Sequence, residues 1–166
     1  MPASNPAENT TEVFVPMGKW AVAQAPTLIR TLLGSCVGVV LYDRVSRWGS
    51  VAHIVLPDSR GDAKLPGKYA DTAIPAMLQD LDRALGRRSV PRLCAKLVGG
   101  ASMFQSTSAA MNIGKQNHDA VERILAELGI PIIARDLGGE AGRRLTLDTA
   151  SGIVSIRVPG GADHEI

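Results

Sequence analysis

Two cysteines and three histidines carry whatever thiol or imidazole chemistry this chain of 166 residues performs. Cys36 follows Gly34 and Ser35 at the boundary between two apolar runs, Thr27 to Leu33 and Val37 to Tyr42. A glycine at such a junction lets the backbone turn sharply and lets a substrate approach the main chain. The thiolate is the nucleophile, so a reactive cysteine needs its pKa brought down from about 8.5 by a base, a charge or a helix start. If the run after Cys36 opens a helix, the sulfur sits at the positive end of its dipole. Unpaired N–H groups there would then be free to hold a developing oxyanion. His53 is the candidate base. It lies in the apolar segment Val51 to Leu56, where an imidazole needs a partner, whereas His118 falls on the polar face of a helical stretch and His164 near the C-terminus. A cysteine and a histidine within hydrogen-bond reach are the minimum for thiol catalysis. The competing reading of a lone cysteine is packing. Cys94, between Leu93 and Ala95, is read that way. Cys36, Cys94, His53 and His118 contain no closely spaced ligand pair, so no metal and no cofactor are expected.

The elements that must position Cys36 and His53 are short and mostly extended. Val37 to Tyr42 is continuously apolar and β-branched, a pattern shared by a buried strand and the start of a buried helix. Gly49 to Leu56 alternates as a strand holding His53. Pro57 to Lys68 has almost no apolar content and reads as a loop of roughly a dozen residues, long enough to suspect function. Ile74, Met77, Leu78, Leu81 and Leu85 recur at helical spacing, with Asp71 or Thr72 as the cap, Pro75 near the first turn and an end at Gly86. A second helix spans Asn112 to Leu128, buries Val121, Ile124, Leu125 and Leu128, and stops at Gly129 and Pro131. Glu12 to Pro16, Leu93 to Val98, Ile130 to Ala134, Arg144 to Asp148 and Gly152 to Val158 are the further strands. Two main helices among so many strands predict a single-domain α/β fold, a mixed layered sandwich of β-sheets and not a regular βαβ array.

Composition narrows the function classes. The length suits one domain of about 100–150 residues, placed at 12–158, with 1–11 a disordered lead-in and 159–166 a flexible tail. Aromatic residues are 4% of the chain and the net charge is +2, with Lys and Arg scattered. That leaves little surface for stacking on bases and no basic stripe for phosphates, so nucleic acid is not an expected partner. No apolar run reaches the ~18 residues of a membrane span. No secretory signal precedes the first strand, so a cytoplasmic location with reduced thiols is expected. Nothing demands more than a monomer.

Four blocks carry a resemblance to a known family. Thr31-Leu32-Leu33-Gly34-Ser35-Cys36-Val37-Gly38-Val39 resembles the nucleophile block of the CheD chemoreceptor glutamine deamidases, whose core is Leu-Gly-Ser-Cys-Val. His53-Ile54-Val55-Leu56-Pro57 resembles its histidine block. Lys96 to Phe104 with Asn112 to Asn117 resembles the third, and Asp136-Leu137-Gly138-Gly139 with Gly142-Arg143 the fourth. The resemblance implies hydrolysis of glutamine side-chain amides on the cytoplasmic helices of chemoreceptors, with glutamyl methyl esters as further substrates. It also implies an α/β sandwich similar to toxin-type cysteine deamidases, and a CheC-type phosphatase as regulatory partner. An alternative is a binding module that regulates that phosphatase without chemistry of its own. On the deamidase reading the resemblance implies Cys36 as the nucleophile and His53 as its base. The family often has a threonine six residues before the cysteine to orient the histidine. Here that position is Arg30, which cannot accept a hydrogen bond, so Thr31 is the candidate for the role. Ser35, Gly99, Gly100, Met103 and Phe104 are candidates for receptor or partner contact, against plain readings as turn residues (Ser35, Gly99 and Gly100) and as core (Met103 and Phe104).

Overall fold

The computed structural model describes residues 10–103 and 112–166. Among the described residues, ten strands form two five-stranded mixed sheets. In chain order they are β1 Thr11–Phe14, β2 Trp20–Gln24, β3 Thr27–Leu33, β4 Val37–Asp43, β5 Trp48–Ile54, β6 Leu93–Gly99, β7 Ile132–Leu137, β8 Arg143–Asp148, β9 Val154–Arg157 and β10 His164–Glu165. The helices are α1 Ala70–Leu85 and α2 Ile113–Leu128. The first sheet runs β1-β3-β8-β9-β10 and the second β2-β5-β4-β6-β7. Only β1 with β3 and β6 with β7 pair in parallel. The chain is thus an α/β sandwich of three layers, sheet on sheet on helices.

Burial explains the strand patterns. β3 alternates, with Thr27, Ile29, Thr31 and Leu33 buried and the residues between them more exposed, as a sheet with one covered face requires. β4 is buried at every position. Its even-numbered residues, such as Val40, pack against the first sheet with Leu145, Leu147 and Ile156. Its odd-numbered residues Val37, Val39 and Leu41 pack under α1 and α2 with Ile74, Met77, Val121 and Leu125. Covered on both faces, β4 needs no polar alternation, so periodicity alone leaves it indistinguishable from a helix.

Three details differ from the sequence reading. Residues 159–166, expected to be a flexible tail, end in β10 against β9, and Ile166 exchanges backbone hydrogen bonds with Val154 at 2.9 and 3.0 Å. The Lys96 ammonium also donates to the Ile166 carbonyl at 2.7 Å. Neither Asp71 nor Thr72 caps α1: the cap residue is Tyr69, with no side-chain bond. Instead the Asp71 carboxylate accepts from the N–H and hydroxyl of Ser59, and the Thr72 hydroxyl donates to the Pro66 carbonyl, so both tie down the 57–68 loop. Edge strand β2 lies in a stretch the sequence reading left without an element. Among the described residues no helix is long and apolar enough to cross a membrane.

Candidate active site

The loop joining β3 to β4 carries Cys36, and β5 carries His53. β4 and β5 are antiparallel, with Gly38 directly opposite His53. Cys36 stands two residues before Gly38 and packs with Val40, Val51 and Val98 between the sheets. His53 points the same way, because its ring reaches Thr31 on the first sheet. Cys36, in the loop just before β4, thus lies toward the same face as His53, but among the described residues no hydrogen bond joins the two side chains.

Thr31 lies on the buried set of β3, and its Oγ1 is 2.7 Å from His53 Nδ1. The same hydroxyl donates to the Val15 carbonyl at 2.8 Å. A hydroxyl has one proton to give. With that proton committed to Val15, Oγ1 can only accept, so Nδ1 carries the imidazole hydrogen and Nε2 keeps its lone pair. Nε2 is buried with no partner among the described residues. Arg30, on the opposite set of β3, points outward to Glu12 at 3.1 Å. Strand alternation therefore hands the inward position to Thr31.

Burial sets the resting protonation. It pushes the Cys36 thiol above its ordinary pKa and holds the His53 imidazole below its own. Both shifts favour the neutral forms, a protonated thiol and an unprotonated imidazole. Because β4 is a strand, no helix dipole starts at Cys36 to lower its pKa. A proton acceptor at Nε2 is the activating device this geometry offers.

The Cys36 loop is held by its carbonyls. Gly34 O accepts from Ala101 N–H at 3.0 Å and Cys36 O from Gly100 N–H at 2.8 Å, while Ser35 O accepts from the Asn117 side chain at 3.1 Å. Gly99 and Gly100 adopt φ of +105° and +63°, and a Cβ on Gly99 would stand 2.4 Å from Cys36 O. The closest approach of Gly99 is therefore to the protein's own Cys36 loop. Met103 is 49% exposed, and its sulfur lies against Gly34. With Leu32, Leu33 and Gly142 it lines a largely apolar groove of about 380 Å³ beside the loop. Arg143 closes one side of that groove: it is buried, paired with Asp136 and bonded to the carbonyls of Gly138 and Ala141. A larger depression of about 700 Å³, on the outer face of the first sheet around Arg30, Arg144 and Arg157, contains neither Cys36 nor His53. Phe104 lies outside the described residues.

The residue sequence reasoning did not single out is Asn117. It sits four residues before Val121, on the apolar stripe of α2, and is fully buried. A carboxamide on such a stripe was the available signal.

Comparison with known proteins points one way. A family model described as CheD chemotactic sensory transduction matches residues 55–158. A protein of Methanococcus vannielii named "Probable chemoreceptor glutamine deamidase CheD" is 46% identical over 144 residues, 86% of this chain and 92% of that protein. A protein of the same name from Desulforamulus reducens is 45% identical over 159 residues, 93% of this chain and 95% of its own. The "Chemoreceptor glutamine deamidase CheD" of Thermotoga maritima is 43% identical over 149 residues, 89% of this chain and 92% of its own. The family model begins just after His53, but alignments of this extent take in the segment from Cys36 to His53 as well.

Proposed function

The chain belongs to the CheD family, and from that premise we propose that it hydrolyses glutamine side-chain amides on chemoreceptors, with Cys36 as nucleophile, His53 as base and Thr31 orienting the base. The observation that carries this reading is the Thr31–His53 contact, which leaves Nε2 unprotonated on the face it shares with Cys36.

The steps follow from the groups present. Cys36 Sγ attacks the side-chain carbonyl carbon as His53 Nε2 takes the thiol proton, giving a tetrahedral oxyanion. The Cys36 N–H is the donor assigned to that oxyanion. Collapse breaks the C–N bond, Nε2–H protonates the departing nitrogen, and ammonia leaves a thioester. Water then attacks the thioester and gives a proton to Nε2. The C–S bond breaks, and the sulfur recovers that proton as glutamate leaves. The groove under Met103 and Leu32 is where the apolar side of a receptor helix would rest, with its glutamine turned toward Cys36.

Thr31→Val keeps the side-chain volume but removes the acceptor on Nδ1. The imidazole then loses its preferred tautomer, and kcat is expected to fall about 10²-fold, with Thr31→Ser restoring most of it. The assay is conversion of glutamine to glutamate in a receptor cytoplasmic fragment, followed by mass spectrometry. An unchanged rate in Thr31→Val would remove Thr31 from the mechanism. The pH profile carries a further expectation. Burial lowers the His53 pKa from its ordinary 6.5, so the base form survives into mild acid and the acid limb of kcat/KM falls below pH 6.5. The signs for stability follow the same two shifts. The His53 contribution is present above 6.5 and lost as pH falls through its lowered value. The Cys36 contribution is present below its ordinary pKa and lost as pH rises through its raised value.

A further inference from the structure

Cys36, His53 and Thr31 leave one buried polar side chain of the site without a task. Asn117 is 0% exposed, and a buried carboxamide is costly unless it is hydrogen-bonded. Its Nδ2 donates to Ser35 O at 3.1 Å and to Val55 O at 2.9 Å. Two carbonyl acceptors demand the NH₂ end of the amide, so its orientation is fixed by chemistry. Both acceptors matter. The Ser35 carbonyl belongs to the same planar trans peptide as the Cys36 N–H, and the two point in opposite directions. Holding that carbonyl therefore aims the N–H assigned to the oxyanion. The Val55 carbonyl lies two residues beyond His53, just past the end of β5.

One side chain thus bridges the loop of the nucleophile and the strand of the base. The flanking carbonyls of Gly34 and Cys36 are held by backbone N–H groups of Ala101 and Gly100, leaving Ser35 as the loop carbonyl gripped by a side chain. We propose that Asn117 is a positioning residue for the amidohydrolase reaction: it orients the Cys36 N–H toward the oxyanion and sets the spacing between the Cys36 loop and the His53 strand. The proposal rests on the reading of Cys36 and His53 as nucleophile and base.

The test compares Asn117→Ala with Val121→Ala, a core truncation one turn further along α2 that touches neither loop carbonyl. Asn117→Ala is expected to lower kcat about 10²-fold with KM within about twofold. Val121→Ala is expected to lose stability but keep kcat at a temperature where it remains folded. A receptor fragment carrying glutamate γ-semialdehyde in place of the target glutamine adds reversibly to a thiol: the S–C bond forms as the C=O π bond opens, the thiol proton passes to the oxygen, and the hemithioacetal oxygen occupies the oxyanion position. Its affinity for Asn117→Ala is expected to fall by the same factor as kcat/KM. Should Asn117→Ala not fold, Asn117→Ser and Asn117→Asp are read the same way, the aspartate turning a carboxylate on two carbonyl oxygens. Wild-type kcat and aldehyde affinity in a folded Asn117 variant would overturn the proposal, as would equal losses of kcat in Asn117→Ala and Val121→Ala. Cys36→Ala run alongside separates the two levels. If it deamidates normally, the underlying mechanism is wrong. If it is inactive while Asn117→Ala is unimpaired, only the role of Asn117 falls.

Discussion

Replacing Cys36 by alanine is expected to cut deamidation of a receptor fragment by a factor of about 10⁴ or more, while the protein still folds. The size of the effect follows from the site. The described residues offer no second thiol at the loop, since Cys94 lies at the far end of β6, opposite Tyr42. His53 could still act as a base toward water, but direct attack would lose the covalent intermediate that divides the reaction into two easier steps. The fold is expected to survive because the loop is held by its main chain and by Asn117, and the Cys36 sulfur takes part in none of those bonds. Mass spectrometry of the fragment reads the change as amide nitrogen replaced by oxygen. A near-wild-type rate in a folded Cys36→Ala would discard covalent catalysis.

Gly99→Ala is expected to act at the same atoms from the opposite side. At φ +105° a Cβ is strained, and here it would stand 2.4 Å from Cys36 O, a backbone atom that cannot swing aside. Gly86 supplies the contrast. It closes α1 at φ +66° with nothing within 4 Å, so Gly86→Ala incurs the conformational cost alone, about 1 kcal/mol. Gly99→Ala incurs that cost and must also push the Cys36 carbonyl away from Gly100. A loss of about 2–4 kcal/mol, or roughly 5–15 °C in Tm, is expected. Because a shift of about 1 Å at a reacting group can cost 10²-fold, activity below the melting range should fall by at least that much. Thermal melts and kcat for both variants check it; equal, small losses in the two would mean that the Gly99 approach does not hold the nucleophile.

Much of the frame is readable along the chain because it rests on local patterns. The stripe Val121, Ile124, Leu125 with Gly129 marks α2, and the apolar run around His53 marks β5, which is buried at every position after Trp48. The difficulty comes where local pattern is silent. β4 reads equally as strand or helix because it is covered on both faces, and that ambiguity carried with it the idea of a helix dipole at Cys36. The C-terminal strand is legible only through its partner β9 and the distant Lys96. The choice between Arg30 and Thr31 depends on which set of β3 faces inward. The alternation of Ile29, Thr31 and Leu33 contains that answer once β3 is known to be a strand with one covered face. The contacts of Gly99, Gly100 and Asn117 with the Cys36 loop join residues far apart in sequence, and no local period encodes them.

The central claim is that the amide carbon becomes bonded to the Cys36 sulfur before water reaches it. Adding hydroxylamine to a wild-type reaction on the receptor fragment tests this directly, since a thioester partitions between water and the stronger nucleophile. The account predicts γ-glutamyl hydroxamate at the target positions, in a ratio to glutamate that rises with hydroxylamine concentration, and neither product with Cys36→Ala. Glutamate formed at its usual rate, with no hydroxamate at any hydroxylamine concentration, would contradict it.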